Sequence, residues 1–442
     1  MFKLANHNTS FLTEVGAGLT TFFSMVYVLA ANPAILKDSG MPADSLFTAT
    51  AISVIAATLI MALVANLPFA VAPGMGLNAF FVVMVTQMGL SWQQALTGVL
   101  VSGTLFVILS ISPLREKVLK DVPQCLQYGV CGGIGLMIAY IGLLKSKVIS
   151  FPINTQLISD PSDISALLEN LSPSLGDLTQ GPALLAIIGL LLLGLLLALK
   201  VRFSVLLVII VTTLIGIPLG VTNTSLLNGS FVSLPPDPTP ILYKFDFSIL
   251  TSIDFWSLVV ALLFMEVVDG LAGFLGLFGV MGADGDRYRP KMGKAFVADS
   301  MGVVVGSFFG MSPNTTYAES GAGVAVGGRT GLTALVTGLF FFFGLFISPL
   351  FLTVPFSAIA PTLIFVGFLM FASILKISFK DYSESFPAYA VVLLIALTWR
   401  ISDSLAIGWL LYILMKVISG QSRKLTITVL AVGLIFALKM FF

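Results

Sequence analysis

The chain has 442 residues, of which 57% are hydrophobic and 10% charged, with a net charge of +1 and a mean hydropathy of +1.04. That balance gives no basis for a nucleic-acid partner, and Cys125 and Cys131 are too few for a disulfide framework, lack a metal-ligand pattern and read as buried thiols. A span needs about 20 apolar residues, and such blocks fill nearly the whole length, so the composition is that of a polytopic membrane protein with no room for a sizeable soluble domain.

The amino terminus, MFKLANHNTS, is polar and holds the single histidine, His7, outside the first span. It runs into an apolar stretch without an early small-residue cleavage site, so the first span is expected to be retained. Apolar blocks bounded by charges and Pro/Gly breaks predict spans near 12–36, 47–68, 75–88, 92–112, 121–144, 181–199 and 203–220. A second set follows near 254–281, 292–310, 316–326, 330–352, 358–376, 384–399 and 401–418. Between them, polar stretches 145–180 and 221–250 read as outer surface covers. The apolar tail 425–442 is long enough either to span or to lie in the interface, and the sequence leaves both open.

With the amino terminus in the cytoplasm, most of the 22 lysines and arginines fall inside, among them Lys3, Arg115, Lys117, Lys120, Lys200, Arg202, Arg287, Arg329, Lys376 and Lys416. Lys37, Lys145, Lys147, Lys244 and Arg400 fall outside. The positive-inside rule supports this orientation and the count of seven plus seven, 14 membrane elements in all. Seven is odd, so the halves are expected to be inverted. VSGTLF from Val101 resembles VTGLFF from Val336, and each follows a short broken segment: APGMGLNAF from Ala72 and GMSPNTTYAESGAG from Gly310. Matching interrupted segments in inverted halves point to a transporter's substrate site, because irregular backbone at that depth is tolerated only inside protein or beside a cavity.

Three carboxylates stand in this apolar setting: Glu266 and Asp269 in FMEVVDG, and Glu319 in TTYAESGAG. Ionisable groups in spans are functional by default. Glu319 follows Pro313 and precedes glycines 321, 323, 327 and 328, where a carboxylate either accepts hydrogen bonds from a flat heterocycle or caps a half-helix. Glu266 and Asp269 are three apart and share a helical face; their proximity disfavours joint ionisation, so one of them is expected to carry a proton. For Asp269 a plain packing role fits equally well. Asn78, just after the first break, either reads a polar ligand edge or satisfies the broken backbone. Asp299 and Glu14 lie nearer span ends and read as snorkelling or capping groups. GAGVAVGGRTG lacks the Lys-Ser/Thr of a phosphate loop and reads as close packing. No metal motif or activated nucleophile marks an enzyme.

LTTFFSMVYVLAANPAIL, ANLPFAVAPGMGLNAFF, FMEVVDG, TTYAESGAGVAVGGRTGLTALVTGLFF and ISDSLAIGWLLYILMK, taken together and in order, resemble the AzgA-like branch of the nucleobase-cation symporter family, related to xanthine/uracil permeases. The resemblance implies an all-α membrane fold with a seven-plus-seven inverted repeat and short strands in broken spans 3 and 10. It further implies a core domain built from 11–112 and 252–352 and a gate domain from 120–221 and 356–418, with 423–442 as an apolar tail. Glu319, Glu266, Asn78 and Ala318 would bind substrate, while Glu266 and Asp269 would couple protons. Relatives usually carry Asp at the position of Glu266 and Thr at that of Gly270, which leaves the choice of substrate open. The implied function is proton-coupled uptake of a purine nucleobase (adenine, guanine or hypoxanthine) across the cell membrane, with no cofactor beyond the coupling proton. The expected partners are the base, the proton and the lipid bilayer, and a homodimer is the assembly left to test. The alternatives are another solute on the same fold, a different nucleobase or an anion, or a non-transporting receptor.

Overall fold

The computed structural model describes residues 2–112, 121, 123–151, 173–201, 203–227, 231–281 and 288–441. Arg115, Lys117, Lys120, Arg202 and Arg287, together with residues 152–172 of the first outer cover, lie outside the described residues.

The first half begins with α1 (Phe11–Met25), whose N-cap Ser10 accepts from Thr13 N, and continues after a two-residue break as α2 (Val28–Leu36). Next comes α3 (Ala43–Ile60), which loosens into a π-turn over Met61–Ala65 and ends at Asn66, φ 50°. Asn tolerates that left-handed conformation better than most residues. The chain reverses into β1 (Val71–Pro73) and α4 (Met75–Thr86), and then α5 (Trp92–Ile111) opens on a capping box between Ser91 and Gln94. Three further helices complete this half: α6 (Gln124–Lys145), α7 (Gly181–Ala198) and α8 (Ser204–Gly216). A two-residue ladder joins β2 (Ile149–Ser150) to β3 (Ser174–Leu175) in the outer cover.

The second half repeats the pattern. It runs through α9 (Ile253–Val280), α10 (Met292–Phe308), β4 (Asn314–Thr316), α11 (Ser320–Ala325), α12 (Gly331–Gly344) and α13 (Ser348–Leu352). Then follow α14 (Phe356–Phe371), α15 (Tyr382–Thr398), α16 (Ile401–Ile418) and α17 (Ile427–Phe441). Among the described residues, nine helices are long and apolar enough to cross a membrane unaided. The helices that follow the two interrupted sequences, α4 and α11, are shorter, as those breaks predict. The tail forms α17, which packs on α16 and α9 and buries Val429 and Phe436.

Packing falls into two groups. Helices α1–α5 and α9–α13 pack on one another around β1 and β4, while α6, α7, α8, α14, α15 and α16 form a second body. The two meet where α4 and α9 touch α6, α9 touches α16, α2 touches α14 and α1 touches α8. Cys125 is buried and Cys131 partly so, both as free thiols. The glycine-rich run after Glu319 packs closely as expected: a Cβ on Gly323 would lie 2.6 Å from the Ala17 carbonyl oxygen on α1.

Candidate functional site

Two paired strands organise the site. β1 and β4 run antiparallel with Val71 opposite Thr316, Ala72 opposite Thr315 and Pro73 opposite Asn314, so the broken segments of the two halves meet directly. Backbone groups buried at this depth need partners, and they find them. Val71 N donates to Thr58 Oγ1 at 3.0 Å while that hydroxyl reaches Val71 O at 3.1 Å. Ala70 N donates to Ser320 Oγ at 2.9 Å, Tyr317 N to Ala70 O at 3.0 Å and Gly74 N to Pro313 O at 3.1 Å. Tyr317 Oη donates to Pro73 O at 2.6 Å, and Asn314 Nδ2 donates to Gly302 O at 2.8 Å and Ser53 Oγ at 2.9 Å. Each strand leads into a half-helix, α4 or α11, whose N-terminal end carries the positive pole of its dipole.

Glu319 is the residue immediately before α11, half-buried, beside the exposed Ala318. Its Oε1 accepts the Tyr27 hydroxyl at 2.6 Å. An exposed alanine between a buried strand and a helix marks the point where the paired strands open onto free space.

The two acids of α9 have different surroundings despite their spacing. Asp269 is half-buried and lines a cavity with Gly76 and Leu77 of α4, Cys131 and Ile134 of α6, and Met370 of α14, where the two packing groups meet. One turn further along, Gly273 lies against Thr316, where a Cβ would stand 3.2 Å from the carbonyl oxygen, so this face of α9 rests on β4. Glu266 is 1% exposed: its Oε1 accepts from Ser102 Oγ on α5 at 2.7 Å, and its Oε2 has no hydrogen-bond partner. Its i+4 neighbour Gly270 faces α10, where an added Cβ would lie 2.8 Å from Asp299 Oδ2. The helix therefore turns Asp269 toward the open boundary and Glu266 into the protein.

Three other polar residues hold the surrounding segments. Asn78 is fully buried, with Oδ1 accepting the Ser312 hydroxyl and Nδ2 3.7 Å from Met75 Sδ, so it braces one broken segment against the other. Asp299 is no span-end group: α10 covers Met292–Phe308, which puts it near the centre, 1% exposed, accepting from Thr316 Oγ1 of β4 at 2.7 Å. Glu14 does cap, but on α12 rather than on its own helix. It accepts from Arg329 N at 3.0 Å, Thr330 Oγ1 at 2.9 Å and Thr333 Oγ1 at 2.6 Å. The sequence reading passed over Tyr27, Ser102 and Thr316, hydroxyls in apolar stretches with no local mark of their acidic partners.

Comparison with known proteins adds a second line of observation. A model of the Permease family matches residues 12–407. The chain is 37% identical to the guanine/hypoxanthine permease PbuO of Bacillus subtilis, covering 100% of both proteins. It is 36% identical to the adenine permease AdeP of Escherichia coli, covering 100% of this chain and 95% of that protein. Among solved structures, the transmembrane domain of the cyanobacterium bicarbonate transporter BicA superposes with a TM-score of 0.62 at 17% identity, covering 90% of this chain and 97% of that one. The murine Slc26a9 anion transporter in its inward-facing state gives 0.64 at 14% identity, covering 92% and 69%. At such identities the likeness is one of fold, a multi-pass helical architecture into which 14 membrane elements with paired strands in the third and tenth fit.

Proposed function

The chain belongs to the Permease family, in its AzgA-like purine permease branch, and from that premise we propose that it brings a purine nucleobase, adenine, guanine or hypoxanthine, into the cell together with a proton. The observation that carries this reading is that carboxylates stand only partly buried where β4 passes into α11, at Glu319 beside exposed Ala318, and on the cavity between the two packing groups, at Asp269. Carboxylates at such a boundary suit the N–H edges of a flat base and would repel an anion.

In this reading Glu319, the backbone at Ala318 and Asp269 contact the base. Asn78 keeps the broken segments together, the second of the two roles open to it after the first break. Glu266 has one oxygen without a hydrogen-bond partner among the described residues, and we assign the coupling proton to that oxygen, with Asp269 linking it to the base site. The group of α1–α5 and α9–α13 acts as the core and the group of α6–α8 and α14–α16 as the gate, moving against each other at the cavity. The amino terminus lies in the cytoplasm and the protein in the cell membrane.

The test is uptake of labelled hypoxanthine and adenine in a host without its own purine permeases, in competition with a panel of unlabelled bases and with and without a protonophore. Purine-specific, protonophore-sensitive uptake is expected, abolished by Glu319→Gln at unchanged membrane abundance. Inhibition by no purine would reject the substrate class, and full uptake by Glu319→Gln would reject the site.

A further inference from the structure

The break in span 1 brings a residue from the amino-terminal end of the chain to Glu319. α1 ends at Met25 and α2 begins at Val28, and Tyr27 occupies the joint with φ −55° and ψ −22°. Its carbonyl oxygen accepts from Ala30 N at 3.0 Å and Ala31 N at 2.9 Å, so its backbone also starts α2. The ring is 2% exposed, and the hydroxyl donates to Glu319 Oε1 at 2.6 Å across 292 residues of sequence.

Among the described side chains, Tyr27 is the one that bonds the Glu319 carboxylate. Glu319 precedes a helix of six residues, two of them glycine, and its side chain makes no capping bond to that helix. A glutamate has three side-chain torsions, and any that are not already fixed must be ordered on binding at a cost in affinity. The Tyr27 hydroxyl supplies a charge-assisted bond from an aromatic side chain that is already buried. It engages Oε1 of a carboxylate that is itself only half-buried, next to the exposed Ala318. Both residues belong to the packing group built on α1–α5 and α9–α13, so the contact persists when the two groups move.

We propose that Tyr27 is the positioning residue for Glu319, acting on substrate affinity solely by fixing that carboxylate; the inference rests on Glu319 contacting the base. Tyr27→Phe keeps the ring and its packing and removes the bond. Loss of a hydrogen bond to a charged group corresponds to about a tenfold change, so the KM for purine uptake is expected to rise about tenfold while maximal velocity, membrane abundance and melting temperature stay close to wild type. A purely structural tyrosine would instead change abundance, melting or velocity. Glu319→Asp, which withdraws the carboxylate by one methylene, should raise KM similarly, and Tyr27→Phe added to it should change KM no further. Additive effects in the double variant, or an unchanged KM in Tyr27→Phe, would overturn the assignment. Wild-type uptake inhibited by no purine would overturn the substrate reading instead and is read directly in the same assay.

Discussion

Ser102 on α5 donates its hydroxyl to Glu266 Oε1 on α9 at 2.7 Å, and the other oxygen of that buried acid has no partner. The pair ties two helices of one packing group together, away from the boundary cavity that Asp269 lines. Glu266→Gln keeps an acceptor for Ser102 and removes the titratable group. Purine exchange across a preloaded vesicle is therefore expected to survive in this variant while accumulation driven by an inward proton gradient is lost. Gradient-driven accumulation at the wild-type level would remove Glu266 from the coupling step.

Glu14 is a structural carboxylate, fully buried, whose two oxygens collect backbone and hydroxyl donors from Arg329, Thr330 and Thr333 at the start of α12. Glu14→Gln would turn an NH₂ group against those donors. Each buried donor left unpaired costs roughly 1–3 kcal/mol, so the variant should melt well below wild type in detergent. Wild-type melting would mean that the cap contributes little.

Gly270 faces α10, and an added Cβ would lie 2.8 Å from Asp299 Oδ2, whose partner oxygen is held by Thr316. Gly270→Ala should therefore destabilise by about 1–3 kcal/mol, the usual cost of overpacking. In an Asp299→Ser background the same change should cost less, because the shorter side chain vacates the space. Equal costs in the two backgrounds, measured by thermal melting, would break the link between these positions.

Asp381 caps α15, accepting from Ser383 N at 2.9 Å and Ser383 Oγ at 2.7 Å, and these bonds hold its carboxyl below the ordinary 3.8. A carboxylate whose folded value is depressed stabilises the fold above its ordinary titration range, and that contribution is lost as pH falls through the folded value. The melting temperature should decline on acidification, and Asp381→Asn should flatten that part of the profile. The Asp381 side chain is 37% exposed and screened by solvent, so the effect is small. An identical acid limb in both proteins would show that the cap does not contribute.

Hydropathy made the spans legible, and Pro and Gly made the two breaks legible, because each depends on a short run of residues. The strand register of Val71 on Thr316 was not legible, since neither segment alone specifies its partner. The expected span 292–310 nearly matches α10, so the position of Asp299 near its centre was legible, and what was not legible was its partner, Thr316 of β4. Tyr27 was missed because a tyrosine in an apolar run looks like packing until its hydroxyl has an acid beside it.

By itself the sequence determined a polytopic membrane protein with two broken segments and three acids in apolar surroundings, Glu319 within one of the breaks, because the cost of leaving backbone or charge in an apolar medium is paid residue by residue and is visible locally. The tertiary structure alone decided which way those acids face. Glu266 and Asp269 are three residues apart on one helix, yet one meets Ser102 in the packed interior and the other meets a cavity. Helical spacing sets their relative direction, and only the packing of α5, α6 and α10 around α9 determines what lies in each direction.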